Sequence, residues 1–452
     1  MRAHSPLENH RSGLTRRHFL HLSTLATAGV LTGCAANPVT GEKQLMLVSE
    51  DTEIAVDRQN SPHQLSSDYG NIQDKRLNRY VQGVGQKLAG VTHRPQMPYN
   101  FHGVNATYIN AYAFPGGTIA ATRGILLALD DEAELAALMG HELGHVNARH
   151  TARQMSKGIV TQLVVGGLAG YAATKGEVWG AIAGQLGMLG AGALLASYSR
   201  DNEREADRLG MDYMVQSGYG TPGFVGLMDM LKSLSHGKPS TAALLFSTHP
   251  MSDERYQTAV NTAADRYANA KNSPVYRERY MDNTAGLRRI KGAIYAMQAG
   301  EKAMGQKKYP QAENQFKNAL KQAPNDYAGL LMTAKCLMAQ NKKSQALRYS
   351  QKAQNVYPNE AQARQVGGYA KLQLGQYSSA YRDFDRCNQL LPGNADIGFF
   401  MGLAQEKMQH PKAAAKHYYQ YLQATQQGDR AKHAYNRLVG WGYVKKQTTT
   451  QK

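Results

Sequence analysis

The segment 141-HELGHVNARH-150 places three histidines and a glutamate within ten residues. On an α-helix, residues four apart share a face, so His141 and His145 can turn their imidazoles toward one ion. Glu142 lies beside them, placed to take a proton from water rather than to bind the ion. Glycine at 144 costs helix stability and clears space near such an ion. The spacing alone is weak evidence, because two histidines on a solvated helix share it. A third ligand has to come from elsewhere.

His150 does not supply it. In the pattern H-E-x-x-H-x-x-G-x-x-H it arrives one residue early, and Ala148 stands in place of the glycine. It is expected in solvent or beside a ligand, not on the ion. The stretch 198-YSRDNEREADRLGMDYM-214 is a better source, with Ala206, Leu209, Met211 and Met214 at helical spacing. Glu203 and Asp207 share a face of that helix. One of them can bind the ion while the other accepts a hydrogen bond from a ligating histidine and fixes its ring. Glu205 points away from that face and reads as a solvated charge.

Around these two helices the chain reads as follows. Leu77, Val81, Val84 and Leu88 predict an amphipathic helix over 74–88. Residues 99-YNFHGV-104 and 106-ATYINAYAFPGGTIAATRGIL-126 are β-rich, the latter a hairpin hinged on Pro115-Gly116-Gly117. Asp130 or Asp131 caps the helix that carries the opening segment. Residues 158–199 are almost uncharged, with Gly166, Gly170, Gly180 and Gly184 at four-residue spacing. Gly and Ala outweigh Leu and Ile there, which favours a close-packed helical lid over a transmembrane hairpin.

Beyond residue 287 a 34-residue period sets in. Gly300, Ala334, Gly368 and Gly402 repeat at that spacing, as do Ala312, Ala346, Ala380 and Ala414. Pro324, Pro358 and Pro392 close three units, with Gln426 in the terminal one, and Phe316, Ser350, Phe384 and Tyr418 form a large-residue series with one exception. Small residues let paired helices nest and the proline stops the second helix. The pattern resembles four tetratricopeptide repeats over about 290–430. Cys336 and Cys387 fall inside them, as a disulfide or as two buried thiols.

The start is an address. Arg16-Arg17 precede an apolar run, Phe19 to Gly33, too short to span a bilayer. It ends in Leu31-Thr32-Gly33-Cys34, which resembles a lipobox, and the paired arginines resemble a twin-arginine signal. The expected mature chain begins at a lipidated Cys34, outside the cytoplasm. Net charge is +18, of which residues 288–452 contribute +17, from 26 Lys and Arg against nine Asp and Glu. Such a field draws an acidic protein face or an anionic membrane. Nucleic acid is not expected, because no nucleic-acid-binding motif is present.

Five segments occur in order: 37-NPVTGEKQLMLVSE-50, 110-NAYAFPGG-117, 141-HELGH-145, 203-EREAD-207 and 248-THPMSDER-255. Together they resemble the bacterial zinc metallopeptidases related to HtpX, mitochondrial Oma and the CAAX prenyl endopeptidases. The resemblance implies one zinc ion held by His141, His145 and Glu203, with Glu142 as general base and Asp207 orienting a ligand. The family's H-P-x-x-x-x-R motif falls on His249, Pro250 and Arg255. A His-Pro turn would project His249 toward the zinc, either as a resting-state plug or as a catalytic donor to the developing oxyanion. The strand near 118-TIAAT-122 would be the edge on which an extended substrate lies, with Asn110 and Arg255 as substrate contacts.

The expected fold is therefore mainly α: a gluzincin-type α+β metallopeptidase domain with a small β-sheet, then a helical repeat solenoid. Its expected parts are a signal peptide at 1–33, a tether at 34–70, the peptidase at 71–285, repeats at 286–440 and a basic tail at 441–452. With the lipobox and repeats, the resemblance implies a lipid-anchored periplasmic endopeptidase, placed at the outer membrane. Unfolded or misassembled envelope proteins are its expected clients and the β-barrel assembly machinery its expected partner. The rivals are a chaperone or scaffold whose repeats carry the main activity, and a site-specific regulatory protease.

Overall fold

The computed structural model describes residues 34–165, 198–237 and 239–445. The signal segment and most of the glycine-rich stretch expected to form a lid lie outside the described residues. Among the described residues no helix is long and apolar enough to cross a membrane.

A two-stranded ribbon, β1 (Cys34–Ala36) and β2 (Lys43–Leu45), precedes helix α1 (Glu50–Ser67). Helix α2 (Lys75–Ala89) starts at Asp74, whose carboxylate accepts from the Arg76 and Leu77 amides. Its apolar stripe Leu77, Val81, Val84 and Leu88 is buried against the sheet, as the spacing predicts. The sheet has β3 (Asn100–Val104), β4 (Ala111–Ala113) and β5 (Thr118–Thr122) in the order β3-β5-β4. The predicted hairpin is present, with Ala111 opposite Ala121 across the Pro-Gly-Gly turn.

The strand expected to be the edge is not one. β5 pairs in parallel with β3 on one side and antiparallel with β4 on the other, so its backbone groups are already spent. The edge nearest the turn is β4.

Helix α3 (Arg123–Ala128) leads to α4 (Glu132–Asn147), capped by Asp131, whose side chain accepts from the Glu134 amide. All of α4 is buried, its polar residues Glu132, Glu134, His141, Glu142 and His145 included. Helix α5 (His150–Val165) follows, then α6 (Arg200–Gln216), opened by a capping box between Ser199 and Asn202. Helices α7 (Pro222–Gly237), α8 (Ala243–Thr248), α9 (Asp253–Asp265) and α10 (Arg277–Arg289) complete this half. Leu135, Met139 and Leu143 of α4 pack with Leu209 and Met214 of α6 and Phe224 of α7 in one core.

Among the described residues the repeats are four helix pairs, α11 (Lys291–Gly305) with α12 (Tyr309–Gln322), α13 (Tyr327–Ala339) with α14 (Lys343–Val356), α15 (Ala361–Gln373) with α16 (Tyr377–Leu390) and α17 (Ala395–Lys407) with α18 (Pro411–Ala424), followed by α19 (Asp429–Gly440). A Cβ at Gly300, Gly368 or Gly402 would overlap the ring of Phe316, Phe384 or Tyr418 sixteen residues later. At the same offset Ala334 is matched by Ser350, both buried, so the exception in the sequence series compensates a larger partner. Cys336 and Cys387 are both free and buried.

The first helices of the early units face the peptidase half. Arg123, 2% exposed, pairs with Asp326 and donates to the Asn105 carbonyl. Thr107 bonds Glu301, Ser66 bonds Glu360, and Lys335 lies over the Tyr69 ring. The buried core runs on through Ile294, Met297 and Phe316, so the two halves share it.

Candidate metal centre

Helices α4 and α6 cross at unusually short range because the crossing is lined by Gly140, Gly144, Ala206 and Gly210. A Cβ at Gly144 would stand 2.9 Å from the Ala206 Cα, and one at Gly210 2.7 Å from the His141 amide nitrogen. The space freed at Gly144 is thus taken by the α6 backbone rather than by an ion. The crossing brings His141 and His145 of α4 opposite Glu203 and Asp207 of α6.

Four residues converge there. One ligand atom each from His141, His145, Glu203 and His249 lies within 4.8 Å of the others, and all four residues are buried. The Nε2 atoms of His141 and His145 are 3.1 Å apart. Glu203 stands 3.6 Å from the first through Oε2 and 3.4 Å from the second through Oε1. His249, at the C-terminal end of α8, brings Nδ1 to 3.3 Å from His141 Nε2 and 3.2 Å from Glu203 Oε1. Glu142 has one carboxylate oxygen 3.7 Å from His249 Nε2 and its other, Oε2, buried without a hydrogen-bond partner among the described residues.

The outer nitrogens are held as well. His141 Nδ1 lies 2.9 Å from Asp207 Oδ1, and His145 Nδ1 lies 2.8 Å from His150 Nδ1. Bonds at Nδ1 turn both Nε2 atoms inward, where two imidazoles and a carboxylate make a nitrogen–oxygen donor set that zinc accepts. The residues present fit such an ion.

Arg255 has a different place from the one expected. It is 4% exposed, with Nε and Nη2 each 2.8 Å from an Asp207 oxygen. Its Nη1 is 2.7 Å from Glu203 Oε2 and 2.8 Å from the Pro250 carbonyl. It is committed to the two carboxylates and not to a substrate. His150 is not solvated, and Glu205 is largely enclosed at the α5–α6 contact. Tyr198, which sequence reasoning passed over, stacks on His145 with centroids 3.8 Å apart and planes at 19°. Its signal in the sequence was slight: an aromatic next to the Ser199 cap.

Burial pushes the Glu142 carboxyl above its usual range, His249 and His141 opposing only in part. Burial pushes the Glu203 carboxyl up too, but His249, His145 and His141 outweigh it and hold it well below the ordinary value. For Asp207 the opposing charge of Arg255, with His141, likewise overcomes burial and keeps the carboxyl low. Burial drives His145 well below the ordinary imidazole value, whereas at His249 the carboxylates of Glu203 and Glu142 overcome burial and raise it.

Asn110, 1% exposed, sits just before β4, and its Oδ1 has no hydrogen-bond partner among the described residues. It lines a small cavity with Tyr112, Ala113, Tyr198, Thr248 and His249, so β4 borders the histidine cluster.

A helical donor pair with a carboxylate from a second helix, beside a three-stranded sheet and ahead of paired-helix repeats, defines a metallopeptidase domain joined to a tetratricopeptide solenoid. The chain belongs to peptidase family M48, matching it over residues 75–263, and matches the tetratricopeptide repeat over 303–367. It is 32% identical over 192 residues to the metalloprotease YcaL of Escherichia coli K12, covering 42% of this chain and 69% of that one. To the beta-barrel assembly-enhancing protease of the same organism it is 25% identical over 347 residues, 70% of this chain and 69% of that one. The protein of that name from Yersinia pestis is 32% identical over 195 residues, 42% of this chain and 40% of its own length. The match therefore spans less than half of the Yersinia protein.

Proposed function

We propose that the chain is a zinc-dependent endopeptidase of the periplasm that cleaves misfolded or stalled outer-membrane proteins, tethered to the outer membrane through Cys34. The observation that carries the peptidase reading is the convergence of His141, His145 and Glu203 beside a Glu142 carboxylate with a buried oxygen that no described residue bonds. A zinc ion held by those three residues would polarise a peptide carbonyl and lower the pKa of water toward about 7. Glu142 takes the proton of the attacking water and returns it to the leaving amide nitrogen as the C–N bond breaks. An extended substrate strand adds to the β4 edge, with the Asn110 side chain binding its backbone. His249 would supply a further donor to the ion at rest, and would have to move away for a substrate carbonyl to reach it. Substrate then selects the active state, in keeping with quality control.

The relatives' name, beta-barrel assembly-enhancing protease, supports the choice of clients and of the β-barrel assembly machinery as partner. The repeats are read as its docking surface. Seven of their nine acidic residues are buried or paired, among them Glu301, Glu313, Asp326, Glu360 and Asp383. The cations Arg348, Lys352, Arg382 and Arg386 remain exposed on the second helices of two units. An acidic partner or an anionic membrane suits that face.

The test is Glu142→Gln. The variant is expected to keep its zinc and melting temperature, lose hydrolysis of an unfolded protein substrate, and fail to complement a deletion strain. Full complementation would instead assign the biological role to the repeats.

A further inference from the structure

The third histidine of the opening segment is built into the site from behind. Helix α4 ends at Asn147, and Arg149 takes the left-handed conformation, φ 55°. That conformation is uncommon for a residue with a Cβ and is held where the surroundings enforce it. Here Arg149 Nε lies 3.1 Å from Glu53 and Nη2 2.7 Å from the Val48 carbonyl. The turn swings His150, 1% exposed, back beneath His145. His150 Nδ1 comes to 2.8 Å from His145 Nδ1, and its Nε2 to 3.0 Å from Glu205 Oε2. Glu205 is steadied in turn, with Arg153 Nη2 3.5 Å from Oε2 and Asn37 Nδ2 3.5 Å from Oε1.

Valence fixes the protons along this line. An ionised carboxylate only accepts, so His150 Nε2 carries a hydrogen. A neutral ring protonated there presents a bare Nδ1, and the nitrogen facing it, His145 Nδ1, must be the donor. His145 Nε2 is then left without hydrogen, its lone pair turned toward the space shared with His141 and Glu203. Asp207 does for His141 directly what Glu205 does for His145 through an intervening ring.

We propose that His150 and Glu205 are positioning residues that lock His145 in the Nδ1–H tautomer and thereby set the zinc affinity of the site. The proposal rests on the reading of His141, His145 and Glu203 as zinc ligands. Removing an outer partner of a ligating histidine typically costs about 10- to 100-fold in metal affinity.

Zinc affinity is measured by chelator competition, with the zinc-free melting temperature followed in parallel. His150→Phe, which fills the space but accepts nothing, is expected to bind zinc about 10- to 100-fold more weakly. His150→Gln can accept from His145 and donate to Glu205, so it should recover most of that loss. Wild-type affinity in His150→Phe overturns the proposal, as does an equal loss in both variants, which would mark a packing role. Should His150→Phe fail to fold, Glu205→Ala serves in its place: weakened zinc binding supports the relay and unchanged binding overturns it. A wild-type protein that binds no zinc fails differently, because it removes the ligand assignment and the proposal together.

Discussion

Replacing Gly144 by alanine tests whether the closeness of α4 and α6 makes the site. A methyl group there would sit 2.9 Å from both the Cα and the carbonyl oxygen of Ala206. Ordinary carbon contacts lie near 3.5–4.0 Å, so the helices must part by roughly 0.6 Å or more. Glu203 and Asp207 ride on α6 within a turn of Ala206, while His141 and His145 ride on α4, so the displacement falls on the donor set. Alanine gains about 1 kcal/mol over glycine in a helix and overpacking costs about 1–3 kcal/mol, so stability should fall by about 0–2 kcal/mol. Function should suffer more, since a misplacement on the order of 1 Å can cost about 100-fold in rate. Urea unfolding of the zinc-free protein, chelator competition and kcat/KM on a quenched peptide separate the two effects. Gly83 on α2 is the control: a Cβ there meets nothing within 4 Å, so Gly83→Ala should stabilise by about 1 kcal/mol and leave catalysis alone. If Gly144→Ala gains stability like the control and keeps its zinc affinity and rate, the crossing does not position the ligands.

His249→Ala should raise cleavage of an unfolded substrate, since it removes that further donor; a large loss would assign the ring to the oxyanion, and an unchanged rate would sink both roles. Arg255→Ala strips the counter-charge from buried Asp207 and Glu203, and breaking such a pair costs about 3–5 kcal/mol. Zinc-free urea unfolding measures it, and a loss below about 1 kcal/mol would place Arg255 among ordinary surface pairs. Glu134 is pushed up to about 7, mainly by burial, so the folded protein binds the extra proton between the ordinary carboxylate value and about pH 7. Its contribution to stability therefore falls as pH rises through that window. Glu134→Gln should raise the melting temperature at pH 8 and have little effect at pH 4; equal effects at both would refute the assignment.

The repeats were legible because their signal is arithmetic. A 34-residue register fixes which helices pair, and nesting of Gly300, Gly368 and Gly402 against aromatic rings explains why those series exist. Even Ser350 follows from the volume already used by Ala334. The sheet was legible only in part. Pro-Gly-Gly marks the turn between β4 and β5, but nothing local says on which side β3 lands. That parallel pairing spans a connection rather than a turn, and it converts the expected edge into the centre of the sheet.

At the candidate metal centre the residues that spacing and structure both bring together are those on unbroken helices, where position on a face follows from 3.6 residues per turn. The differences lie where a helix stops or a helix face is covered. Motif spacing leaves His150 either in solvent or beside a ligand; the left-handed turn at Arg149 selects the second by returning it to the face of His145, a geometry that a helical wheel cannot represent. Glu205 was judged from its own helix alone, but α5 covers that side and supplies His150 and Arg153 as partners. Arg255 carried the charge of a substrate contact, yet the Glu203–Asp207 pair it neutralises is itself assembled only by the crossing. Three carboxylates in 203-EREAD-207 therefore divide their work by which neighbour each one meets. Glu203 turns to the histidines, Asp207 braces His141 under Arg255, and Glu205 reaches His145 through a second ring.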